Sequence, residues 1–169
     1  MVSSDGPAGF DSFVAAESRQ LLRAAWLLTG AWADAEDLVQ TALEQTWQHW
    51  DRVDSPAAYT RRVIVRAFLR ARRRHWTGEV ATADLPEPAV GVDEAGDWDL
   101  RASLLAALDA LPARQHAVVV LRYFADLSEQ QTADALRCTV GTVKAHASRA
   151  MTRLRVHPGL QALIEEAPR

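Results

Sequence analysis

Seven arginines fall between Ser55 and Gly78 with no acidic residue among them, and Arg62, Arg66, Arg70 and Arg73 or Arg74 recur every three or four positions. On a helix that spacing makes one cationic stripe. Tyr59 stands near its start and Trp76 at its end. A row of guanidinium groups matches a phosphate backbone, and arginine and aromatic planes together hold unstacked bases. The chemistry on offer is a grip on duplex or single-stranded nucleic acid. A solvated charged face is the competing reading, and it loses weight because a second nucleic-acid pattern lies downstream.

That second pattern is SEQQTADALRCTVGTVKAHASRAMTRLR, residues 128 to 155. Ser128 and Gln131 have capping-box spacing, and Thr139 is placed to cap a second helix after a turn at Arg137 and Cys138. In the second helix Val140, Val143, Ala147, Ala150, Met151 and Leu154 form an apolar stripe. Thr142, Lys144, His146, Arg149, Arg153 and Arg155 are left for the other faces. Two short helices about a tight turn, the second of them basic, predict a helix-turn-helix that suits the DNA major groove.

A third cluster is acidic. Asp34, Glu36, Asp37, Gln40 and Glu44 lie within eleven positions, and Asp37, Gln40 and Glu44 share a helical face. Carboxylates this close could bind a divalent cation or serve as an acid–base pair. No histidine lies within a turn of them and no glycine-rich loop accompanies them, while Asp34 and Asp37 suit a helix N-terminus, where the dipole favours negative charge. The face reads as a protein-docking surface. Neither a metal nor another cofactor is expected, and the chain does not read as an enzyme.

The elements that must position these groups read as all-α, because helical periodicity runs through the chain and no sustained two-residue alternation marks a sheet. A first helix fits Asp11 to Leu28, with Phe13, Leu21, Leu22, Ala25 and Leu28 on one side and Gly30 past its end. A second begins at a cap on Asp34 and runs to about Trp50, with Leu38, Ala42, Trp47 and Trp50 as core. A third starts at Ser55-Pro56 and continues to Trp76. Residues 77 to 98 hold two prolines, three glycines and six acids, the composition of a linker. Helical patterning resumes near Asp99 with Leu100, Leu104, Leu105, Leu108 and Leu111, and Pro112 opens a helix carrying Val118, Val119, Leu121 and Phe124. The prediction is two small helical domains, 10–76 and 99–157, joined by an acidic flexible linker over 77–98. As a coil that linker would average about 26 Å end to end and stretch to about 73 Å, enough for two DNA contacts about twenty base pairs apart.

The 169 residues carry a net charge of −3, but the total hides a basic block at 55–78 followed by an acidic one at 79–99. Blocks of opposite sign indicate separate surfaces with separate partners. One cysteine, Cys138, excludes an intramolecular disulfide and a multi-cysteine zinc site. The longest apolar patch, Ala24 to Ala33, is too short to span a bilayer, and the N-terminal MVSSDGPAGFD has neither a basic nor an apolar leader region, so a cytoplasmic location is the default.

AEDLVQTAL (35–43), the Ser-Pro-led arginine helix (55–76), LPARQHAVVVLRYFADLSEQQTADAL (111–136) and TVGTVKAHASRAMTRLR (139–155) resemble, in that order and spacing, the bacterial group 4 sigma factors. This is the extracytoplasmic-function class of the sigma-70 family. The resemblance implies a promoter-specificity subunit that binds core RNA polymerase through its β′ clamp and β subunits, recognises minus-35 and minus-ten elements and promotes transcription initiation. It implies that Asp37, Leu38, Gln40, Thr41 and Glu44 bind core polymerase, as sigma region 2 does. Tyr59, Arg62, Arg66, Arg70, Arg73, Arg74 and Trp76 would meet minus-ten DNA. Thr142, Lys144, His146, Ser148, Arg149 and Arg153 would meet minus-35 DNA in region 4, and an anti-sigma factor would find helical surfaces on both domains. Three residues depart from the family pattern: relatives usually have asparagine at Arg66, glycine at Arg137 and often arginine at His146.

Three other readings compete. A LuxR-type response regulator or repressor would need a receiver domain, and residues 1–76 show no strands or phospho-acceptor. A metal-dependent nuclease would use Asp34, Glu36 and Asp37. A protein-interaction adapter would bind no DNA at low salt.

Overall fold

The computed structural model describes residues 7–76 and 95–161, and among them every regular element is helical. The first half is a three-helix unit: α1 (Phe10–Thr29), α2 (Trp32–Gln48) and α3 (Pro56–Trp76), with a single 3₁₀ turn at Trp50–Arg52. α1 stops at Gly30, whose φ of 77° is the left-handed conformation that closes a helix end, and its N–H returns to the Trp26 carbonyl. Ser55 caps α3 by accepting a hydrogen bond from the Ala58 N–H at 3.3 Å, with Pro56 at the first helical position. Leu21, Leu28, Val39, Ile64 and Phe68 fill the centre. Inside it the Thr46 and Thr60 hydroxyls lie 2.7 Å apart, each also bonded to a carbonyl one turn back in its own helix. Two buried hydroxyls satisfied in this way lock α2 against α3.

α2 begins three residues earlier than the cap at Asp34 predicts. Ala31 occupies the cap position and Asp34 sits in the first turn, where the dipole still favours it. Its buried stripe is Ala35, Val39, Ala42 and Thr46, so Trp47 is not core but 41% exposed, and Trp50 is half-buried. Both tryptophans instead edge against the Phe10 ring, at 4.8 and 5.2 Å.

The second half holds α4 (Ala95–Asp109), α5 (Ala113–Val119), which continues through a π turn at Val120–Phe124, α6 (Glu129–Leu136) and α7 (Val140–Arg155). α4 starts four residues inside the stretch read as linker, and Leu100, expected as core, is 46% exposed while Leu108 and Leu111 are buried. The rest of that linker lies outside the described residues. The capping box of α6 is complete: the Ser128 hydroxyl accepts from the Gln131 N–H, and the Gln131 side-chain oxygen accepts from the Ser128 N–H. Thr139 caps α7 by accepting from the Thr142 N–H. Val143 and Ala150 pin α7 to α5 and α6.

The two halves share one apolar core rather than standing apart, and α3 lies against α5 and α6. His116 is buried in α5 and its Nε2 donates to the Leu27 carbonyl of α1 at 2.8 Å, while its ring meets Phe68 of α3 edge-on.

Candidate nucleic-acid and protein-docking interfaces

At about 100° per residue, the outer face of α3 gathers Tyr59, Arg62, Arg66, Arg70 and Arg73, opposite the buried Ile64 and Phe68. Among the described residues none of Arg62, Arg66, Arg70 and Arg73 pairs with a carboxylate, and Arg70, Arg73 and Arg74 are exposed. The Tyr59 ring tilts against His49, whose Nδ1 donates to the Gln45 carbonyl at 2.8 Å. The side chain of Trp76 lies outside the described residues.

The other two arginines of the block belong to a different flank. Arg61 reaches across to α1, donating to Glu17 at 2.7 Å and to Gln20 at 3.1 Å. Arg72 pairs with the Asp109 carboxylate and donates to the Asp109 and Leu111 carbonyls, both at 3.1 Å, so it closes the C-terminal end of α4. Charge counting along the sequence merged seven arginines into one block. Helical phase separates those that face out from the two that hold the fold.

On α7 the predicted contacts fall into two strips rather than one. Thr142, His146, Arg149 and Arg153 line one side of the buried Val143–Ala150 seam, while Lys144 and Ser148 lie on the opposite flank, about 150° away across the solvent face. Lys144 pairs with Glu129 at 3.5 Å on the surface. A helix lying in a groove presents both flanks to its walls. His146 is half-buried, and its pKa is lowered by desolvation and then by the neighbouring Arg114 and Arg149, so the ring is neutral at pH 7.

On α2, Asp37, Gln40, Thr41 and Glu44 are exposed on the side away from the core, with Leu38 half-buried at the margin, and Gln40 donates to Glu44 at 3.2 Å. Beside this face runs a groove of about 630 Å³ between α1 and α2. It is floored by Phe10, Leu22, Val39, Leu43 and Trp47 and edged by Glu36, Gln40 and Glu44. Sequence reasoning missed this groove because it assigned Trp47 to the interior; an aromatic directly beside acidic helix positions was the available signal. Among the described residues no group of three or more histidine, cysteine, aspartate or glutamate side chains is placed to hold a metal ion. Nor is any helix there long and apolar enough to cross a membrane.

The burial of His116 was the other hidden feature, whereas Arg137 stands at the turn where the sequence placed it and where relatives carry glycine. Arg137 ends α6 with φ 51°, a left-handed conformation that glycine adopts without strain. Its guanidinium lies near Arg66, whose pKa is lowered by burial first, then by Arg137 and Arg62.

An arginine face on one helical unit, a capped helix-turn-helix on the other and an acid-edged apolar groove beside α2 make up a two-part helical protein of the DNA-binding class. Comparison with known proteins says which kind. The sigma-70 region 2 family matches residues 13–77 and the sigma-70 region 4 family residues 101–154. The RNA polymerase sigma-E factor of Streptomyces coelicolor is 37% identical over 150 residues, covering 86% of this chain and 84% of that one. The ECF RNA polymerase sigma factor SigL of Mycobacterium tuberculosis is 32% identical over 144 residues, covering 80% and 81%. Among solved structures, the sigma factor RpoE in complex with the anti-sigma factor NepR from Bartonella quintana has the same fold, with a TM-score of 0.73 at 23% identity over 96% of this chain and all of that one. The chain belongs to the sigma-70 family, as a sigma factor of the ECF type that serves transcription initiation.

Proposed function

We propose that this protein is a group 4 sigma factor that docks on core RNA polymerase through α2 and meets a promoter at two points, through α3 and α7. The observation that carries the reading is the outer face of α3: Arg62, Arg66, Arg70 and Arg73 in one stripe with Tyr59 beside them and no carboxylate partner among the described residues. A face of this kind suits strand opening, because arginine and aromatic planes stack on bases that have left the duplex. Asp37, Leu38, Gln40, Thr41 and Glu44 form the polymerase-docking surface, and the neighbouring apolar groove gives it an anchor of the kind that dominates protein interfaces. Thr142, Lys144, His146, Ser148, Arg149 and Arg153 address the minus-35 element. Tyr59, Arg62, Arg66, Arg70, Arg73, Arg74 and Trp76 address the minus-ten element. Such a protein works in the cytoplasm, where polymerase and promoters are, over units spanning 10–76 and 99–157.

Arg66 changes what the minus-ten helix reads. An arginine fork donates to a guanine edge or a phosphate, whereas the asparagine usual in relatives pairs with adenine, so this chain favours a guanine or a backbone contact there. The neutral His146 gives up one phosphate contact that an arginine would make. Control by an anti-sigma factor is part of the same reading: the solved structure of similar fold from Bartonella quintana is a sigma factor in complex with such a partner. The test is run-off transcription on a promoter library with core polymerase. Adding the protein yields template-specific transcripts; core polymerase remaining silent on every template would refute the reading.

A further inference from the structure

Where the end of α6 and the turn into α7 meet α3, a cleft gathers positive charge that the protein itself does not answer. It measures about 570 Å³ and is lined by Arg62 of α3 and by Ala133, Asp134, Arg137, Cys138 and Thr139. Arg66, one turn beyond Arg62, has its pKa lowered by burial first and then by Arg137 and Arg62, so three guanidinium groups stand close enough to repel. Among the described residues none of the three pairs with a carboxylate. Asp134 is the acid in the cleft wall, and its carboxylate accepts instead from the Gln130 amide at 2.9 Å.

Three further features distinguish this cleft from an ordinary crowd of surface charges. The Arg62 Nε and one terminal nitrogen of Arg66 are shut off from solvent and have no hydrogen-bond partner. A charged donor left in that state is costly, and an anion is the group that satisfies it. Arg137 holds φ 51° at a position where glycine would be free of strain, and strain kept for the sake of a side chain points to work done by that side chain. Lastly α7, a helix of 16 residues, starts at this cleft with Thr139 as both its cap and part of the wall, so the helix dipole adds to the positive field.

We propose that the cleft is a binding site for a small phosphate-bearing anion, held by the Arg62, Arg66 and Arg137 guanidiniums between α3 and the helix-turn-helix. Three guanidiniums against the one Asp134 carboxylate leave an excess of two positive charges, which matches a phosphate dianion. Arginine forks take phosphate oxygens two at a time, and the cleft has room for a nucleoside on the phosphate as well as for the free anion. The site needs Arg137, which none of the DNA contacts assigned above uses, so it is distinct from promoter binding.

The test titrates the full-length protein by calorimetry, without DNA and at constant ionic strength, with inorganic phosphate and separately with ADP. Alkylation of Cys138 by iodoacetamide reports occupancy at the place itself, because this single thiol is part of the cleft wall. Saturable binding is expected, with alkylation slowed in proportion to occupancy. Arg137→Gly and Arg62→Gln each weaken binding by about tenfold or more, the loss of one charge-assisted contact. Arg23→Gln removes the same charge from an exposed position on α1 and changes affinity by less than about twofold. Tighter binding of ADP than of phosphate assigns the site to a phosphorylated metabolite, equal or weaker binding assigns it to the free anion, and either supports the proposal. Wild type that binds neither probe saturably, or binding that Arg137→Gly leaves intact, overturns it. So does an equal loss in Arg23→Gln, which is the mark of diffuse charge attraction. Arg137→Gly relieves the backbone at the turn, so the test stands even if Arg62→Gln fails to fold.

Discussion

Arg137 is a residue whose cost and use can be separated. A non-glycine residue with φ 51° gives up about 1 kcal/mol to its backbone conformation, and its charge adds to the crowding around Arg66. Arg137→Gly is expected to raise stability by about 0.5–1 kcal/mol in urea unfolding, the lower value reflecting the greater freedom of glycine in the unfolded chain. His116 acts in the opposite sense. Desolvation by burial, joined by Arg72 and only partly offset by the Leu27 carbonyl and Asp109, lowers its pKa to about 4. A histidine depressed in the fold refuses a proton that the unfolded chain accepts at about 6.5. Its neutral form therefore leaves stability intact above about pH 6.5, and stability falls as pH drops from there toward about 4, by about 3 kcal/mol across the span. Urea midpoints at pH 7.5 and 5.0 test this, and His116→Gln should flatten the difference.

Among the elements, the helix-turn-helix follows most directly from its letters. Ser128, Gln131 and Thr139 are caps with a local mechanism, so the residues that make the bonds are adjacent in sequence. Ser128→Ala is expected to cost about 1 kcal/mol, measured by thermal or urea unfolding. Arg149, exposed on one flank of α7, should behave as a DNA contact only: Arg149→Ala weakens duplex binding and lowers the salt slope by about 1, with core-polymerase binding unchanged. Equal loss of both activities would mean that the surfaces are misassigned. The start of α2 was harder to read, because Ala31 has no capping side chain and Asp34 offered a better cap in the wrong place. Trp47 misled for a related reason. Hydrophobicity says that a residue prefers burial, yet the phase of Ala35, Val39, Ala42 and Thr46 had already taken the inner face.

At the scale of the whole molecule, local pattern gives way to tertiary contact. The outward faces of α2, α3 and α7 were legible as helical phase, because each is a periodicity within one helix. That Arg72 turns inward to α4, that His116 crosses to Leu27 and that Arg62 shares a cleft with the end of α6 depend on residues 37 to 89 positions apart, and no short-range signal encodes them. One chain of this kind is expected to contact a promoter at two separate points and to open it at one of them. A footprint of the complex of core polymerase with this protein, on a promoter selected by run-off transcription, tests that claim directly. The prediction is two protected patches centred about twenty base pairs apart, with permanganate-reactive thymines only in the downstream one. A single protected patch, or protection with no reactive thymine, would contradict it.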